Sequence, residues 1–237
     1  MILTTAARQL IEVDRSRQRG PGSIARVIPP AAAVGNLLFC ATFEPFLREN
    51  PSGHFLSLFL LVECAVLIFL NISYFGGKTS HVLARTRIYP IAPSERFSST
   101  IAVEIRRKLV IALVVSTGVF LAILYATSPV ACACAVATYL LMAAAVELLT
   151  STLALLLLRT PHPSASALAL LGVAVLAITI GLIAFDIADL LAGVPIVNWG
   201  AAGIMAGSRG DIPIALLNAG YITATGMGAG FIGSRHS

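Results

Sequence analysis

The chain has 237 residues, of which 57% are hydrophobic and only 11% are charged, against about 25% charged in a soluble domain. Its mean hydropathy of +0.90 implies more apolar surface than a water-soluble fold of this length can hide, so lipid is the expected solvent. The net charge of +5 then reflects lysine and arginine held on the cytoplasmic side and not a nucleic-acid partner.

In chain order, Met1 to Arg19 has helical periodicity, with Leu3, Ala7, Leu10 and Ile11 near one face and Arg8, Glu12, Arg15 and Arg19 on another. It is too charged to span. The segment 1–28 is therefore expected as an amphipathic helix on the cytoplasmic membrane surface, closed by Gly20-Pro21-Gly22. Pro29-Pro30 opens a first span over Ala31 to Phe46, and a second runs from Phe55 to Phe75. A third covers Leu109 to Thr127, ending at the turn Ser128-Pro129. A fourth runs from Val130 to Leu158 and a fifth from Ala165 to Phe185. From 186 to 211 the residues Gly193, Pro195, Gly200, Gly203, Gly207 and Gly210 are expected to break up any helix. That stretch reads as a semi-apolar external segment, re-entrant as the alternative, with Trp199 at the interface. The last span is Ile212 to Ile232, where Gly220, Gly226, Gly228 and Gly230 allow close helix packing.

The expected fold is thus all-α: one polytopic domain over 1–237, with six transmembrane helices. Placing both termini in the cytoplasm puts fourteen of the sixteen basic residues inside, leaving Arg48 and Arg209 outside. Seven of the fourteen lie in one polar insert, 76–108: Lys78, Arg85, Arg87, Arg96, Arg106, Arg107 and Lys108. Within it Tyr89-Pro90-Ile91-Ala92-Pro93 cannot be helix interior. Ser94 can cap a helix in which Phe97, Ile101 and Ile105 recur at every fourth position, and which feeds directly into the third span.

The phrase from Arg85 to Phe97, Arg-Thr-Arg-Ile-Tyr-Pro-Ile-Ala-Pro-Ser-Glu-Arg-Phe, resembles the segment after the second span in permease subunits of ABC exporters of the type-2 class. The amphipathic N-terminus, six spans and inside termini extend the resemblance to nearly the whole chain. The resemblance implies a plasma (inner) membrane permease that moves its substrate by alternating access, paired with a separate ABC ATPase subunit and a second permease copy or homologue. Ser94, Glu95, Arg96, Phe97 and Ile101 would then form the coupling helix that grips the ATPase. The chain would be a transport subunit and not an enzyme, with no cofactor of its own, because ATP sits on the partner. Gly77-Lys78-Thr79 imitates the end of a P-loop, but the pattern needs glycine at position 72, which is Ile72.

Two acids fall inside spans: Glu63 in the second and Glu147 in the fourth. A carboxyl at membrane depth is costly, and the pair reads either as a substrate path or as helix-holding hydrogen-bonded groups. A proton-coupled secondary transporter using Glu63 and Glu147 is the alternative function. A membrane-embedded lipid-modifying enzyme ranks behind it, because the insert holds no paired carboxylate cluster. Cys40, Cys64, Cys132 and Cys134 lie in apolar runs and read as packing residues. His81 and His162 lack ligand spacing, so no metal is expected.

Overall fold

The computed structural model describes residues 24–49, 53–69, 108–126, 128–157 and 194–236. The N-terminal segment to residue 23, most of the basic insert with Ser94, Glu95, Arg96, Phe97 and Ile101, the expected fifth span and residues 186–193 lie outside the described residues. Every described element is helical: α1 Ile24–Glu49, α2 His54–Phe69, α3 Lys108–Leu124, α4 Pro129–Leu157, α5 Pro195–Ser208 and α6 Ile212–His236. Among the described residues two stretches are long and apolar enough to cross a membrane, Pro29–Arg48 of α1 and Pro129–Leu153 of α4; Phe55–Phe69 and Val110–Leu124 are shorter apolar helices.

Turn chemistry fixes several boundaries. Ser128 accepts a hydrogen bond from the Ala131 N–H at 3.0 Å while Pro129 occupies the first helical position, the ordinary start of a helix. α1 departs from expectation, because it begins at Ile24 and runs through Pro29, Pro30 and Pro45. A proline removes its own N–H and fixes φ near the helical value. The pair near the start of α1 therefore costs two backbone bonds without ending the helix.

The larger correction is α5. The glycine-rich stretch forms 14 helical residues with Pro195 at its first turn. Its glycines lie on one face and let α4 approach. A Cβ on Gly200 would sit 2.8 Å from Met142 Sδ, one on Gly203 would sit 3.0 Å from Thr138 Cγ2, and one on Gly207 would collide with Cys134 Cβ. Cys134, Thr138 and Met142 recur at every fourth residue, so one ridge of α4 enters a groove made by missing side chains. Among the described glycines of this stretch, Gly210 acts as the stop. Its φ is +79°, the Asp211 N–H reaches back to the Ala206 carbonyl at 2.9 Å, and the Gly210 N–H reaches Gly207 at 3.1 Å, a Schellman closure. Trp199 lies near the start of α5, ten residues or about 15 Å along the helix from that turn, with its ring 5.3 Å from that of Tyr221.

The contacts set the helix directions. Phe46 stacks on Phe55 at 5.9 Å, making α1 and α2 antiparallel. Met205 lies 3.7 Å from a Cβ built on Gly53 and 4.0 Å from the Tyr125 hydroxyl. The start of α2, the end of α3 and the α5–α6 turn therefore share one end of the bundle. α6 packs most extensively against α4, with Gly226 against Ala145 and the Thr152 hydroxyl donating to the Ala229 carbonyl at 2.8 Å. Gly220 and Gly228 face nothing within 4 Å, so of the four glycines expected to pack, Gly226 and Gly230 meet α4 and these two do not.

The bundle is apolar outside, and its apolar core also encloses a set of polar side chains. Leu38, Leu216 and Met227 are about two-thirds exposed, at 66%, 67% and 69%, whereas Glu63, Ser116, Thr117, Thr138, Glu147 and Thr150 are buried. Gly207→Val is expected to destabilise the fold by about 1–3 kcal/mol through overpacking, and Gly228→Ala to change it by less than about 0.5 kcal/mol. Thermal unfolding of the detergent-solubilised protein checks this; equal effects would contradict the packed glycine face.

Candidate functional site

Glu63 is carried on the ridge of α2 that also presents Phe59 and Leu67, both buried. It lies nine residues, or about 14 Å, along α2 from His54, well inside the bundle. Above it, towards the start of α2, Phe43, Phe59 and Phe120 join α1, α2 and α3, with ring centroids 5.7 Å apart at each step. The aromatic layer closes that side with apolar surface.

The carboxyl is met from α3 and α4, and through Thr117 it is linked to α1. On α3, the Thr117 hydroxyl donates to Glu63 Oε2 at 3.1 Å. The Asn36 amide of α1 donates to Thr117 Oγ1 at 2.7 Å and to Ser116 Oγ at 2.9 Å. Those two short bonds use both amide hydrogens. Ser116 in turn donates to the Leu113 carbonyl at 2.9 Å. The result is a directed chain, Asn36 to Thr117 to Glu63, in which the single Thr117 proton is committed to the carboxyl. Cys40 Sγ stands 4.0 Å from Thr117 Oγ1. From α4 the Tyr139 hydroxyl comes up to the same carboxyl, yet it is buried and meets no acceptor in hydrogen-bonding geometry. Among the described residues no arginine or lysine approaches Glu63; the described ion pair is the exposed one between Arg48 and Glu44, at 2.8 Å.

Glu147 does not join this cluster. It is buried on α4, eight residues or about 12 Å along the helix from Tyr139. The two acids therefore occupy separate places in the bundle. Between them and α5 lies a groove of about 210 Å³, formed by Leu61, Cys64 and Ile68 of α2, Val146 and Thr150 of α4 and Val197 of α5 among others. It is nearly all apolar and offers no charged group. No group of three or more His, Cys, Asp or Glu side chains suited to a metal occurs among the described residues.

Sequence reasoning found the two acids but missed Asn36, Ser116, Thr117 and Tyr139. The available signal was an amide alone in the apolar run of α1 and a Ser-Thr pair inside α3. No protein family, characterised protein or solved structure was found to match this chain, so the site is read from its own chemistry.

Thr117→Val keeps the shape and removes the bridging hydroxyl. It leaves Asn36 and Glu63 each short of a partner, at an expected cost of about 1–3 kcal/mol. Thr223→Val, whose exposed hydroxyl bonds only its own helix at Ala219, should stay within about 0.5 kcal/mol. Chemical denaturation in mixed micelles compares the two, and a silent Thr117 variant would remove the chain from the argument.

Proposed function

We propose that this chain is a polytopic membrane transport subunit, the permease of an ABC exporter, working with a separate ATPase and a second permease copy at the plasma (inner) membrane. One observation carries the reading. The α1–α2 turn, the end of α3 and the α5–α6 turn share one end of the bundle, where the basic residues are Arg48 and Arg209. The start of α1, the end of α2, the start of α3 and the ends of α4 and α6 lie at the opposite end, and the other fourteen basic residues belong to these helix ends or to the stretches of sequence next to them. That asymmetry fits insertion with the arginine-rich end in the cytoplasm. The exposed leucines and phenylalanines of the exterior fit a lipid solvent.

The same geometry supplies a route for work. α3 begins at Lys108, where the insert ends, and carries Ser116 and Thr117 about 12–14 Å further along. A push on the helix expected from Ser94 would travel along α3 to the group that joins α1 to α2. Proton-coupled transport by the chain alone is the second reading, favoured by a buried Glu63 carboxyl with no described cation beside it.

In a cysteine-free background, Arg209→Cys should react with a membrane-impermeant maleimide in intact cells, and Arg96→Cys only after permeabilisation. Labelling of Arg96→Cys from outside would overturn the orientation and the exporter reading with it. Given that orientation, Ser98→Pro is expected to uncouple ATP hydrolysis in a co-purified complex from transport in vesicles. Transport by the purified chain without any ATPase would favour the proton-coupled reading.

A further inference from the structure

A carboxyl buried at 3% exposure, at the meeting point of four helices and with no cation beside it among the described residues, is costly if it stays ionised. The groups around Glu63 can serve the carboxyl in either protonation state. Thr117 donates to one carboxyl oxygen, and its own acceptor role is filled by Asn36. Tyr139, fully buried, brings a hydroxyl to the same carboxyl with no bond formed. A hydroxyl can donate to a carboxylate or accept from a carboxylic acid.

We propose that Glu63 is the binding site for one exchangeable proton, held between the hydroxyls of Thr117 and Tyr139. When the proton arrives, an O–H bond forms on the carboxyl oxygen not engaged by Thr117, and the carboxylate charge is cancelled. The new O–H then donates to the Tyr139 oxygen. When the proton leaves, the Tyr139 hydroxyl turns to donate to the carboxylate. The Asn36–Thr117–Glu63 chain survives both states, so the difference falls on the contact between α2 and α4, beside the groove and α5. Among the described residues, the other titratable groups facing the site are Cys40 from α1 and Cys64 from α2. α3 presents only hydroxyls there, and α5 contains no titratable side chain. The inference goes beyond the exporter reading and does not depend on it, because the chain alone carries every group involved.

The test is infrared difference spectroscopy of the purified full chain in lipid vesicles, titrated across about pH 5 to 9. A carbonyl-stretch band of a protonated carboxylic acid is expected to grow as the pH falls. It should vanish in Glu63→Gln and persist in Glu147→Gln. Tyr139→Phe, which keeps the acid and so serves even where Glu63→Gln fails to fold, should move the band to higher frequency as a hydrogen bond to the acid is lost. A band of constant intensity at every pH would mean a fixed structural acid and overturn the proposal. So would a titrating band that survives Glu63→Gln or disappears in Glu147→Gln, or one that Tyr139→Phe leaves in place.

Discussion

A carboxyl group placed inside a dry helical bundle must be given hydrogen bonds, and that requirement orders this structure. Thr117 satisfies Glu63 and is itself satisfied by Asn36. Each bond needs its helix at one rotation, since turning α1 or α3 by a single residue would swing the side chain about 100° away. The polar chain therefore sets the register of α1 and α3 against α2, while Phe43, Phe59 and Phe120 supply contact area at the next level. In a bundle whose exterior is as apolar as its packing layers, hydrophobicity alone cannot choose among helix rotations. Buried polar groups with few possible partners can.

A second constraint acts on the other side of α2. α5 is about 21 Å long by its 14 residues, shorter than the roughly 30 Å of a bilayer core. It lies against α2, α4 and α6. Its glycine face lets α4 come close, and α4 in turn delivers Tyr139 to Glu63 from the residue after Thr138, which touches Gly203. The position of Tyr139 thus depends on how α4 packs against α5. Substitutions on the glycine face should be felt at the acid through α4.

Much of the helical layout was legible in the residues. α4 is described to within one position of expectation at each end and α3 to within three, because Ser128-Pro129 is a strong boundary and both runs are uniformly apolar. α5 was not legible. Its glycines at 200, 203 and 207 are read as breakers when only local propensity is weighed, and their value as a close-packing face exists only once α4 is alongside. The prolines of α1 misled in the same way. Glu63 stood out because an ionisable residue in an apolar run is rare. Its partners did not, since a serine, a threonine or an asparagine within a span is common enough to carry no signal without knowing which helices meet. The fate of Gly220 and Gly228, which face outward, likewise depends on helix rotation, which composition does not encode.

Whether Asn36 and Glu63 act as one unit, though they never touch directly, is open to a double-mutant cycle with Asn36→Leu and Glu63→Leu, measured by equilibrium unfolding in micelles. Residues joined through a shared hydroxyl should show a coupling of about 0.5–3 kcal/mol. Costs that simply add, to within about 0.5 kcal/mol, would mean that α1 and α2 are held together by apolar packing and that the polar chain does not set their register.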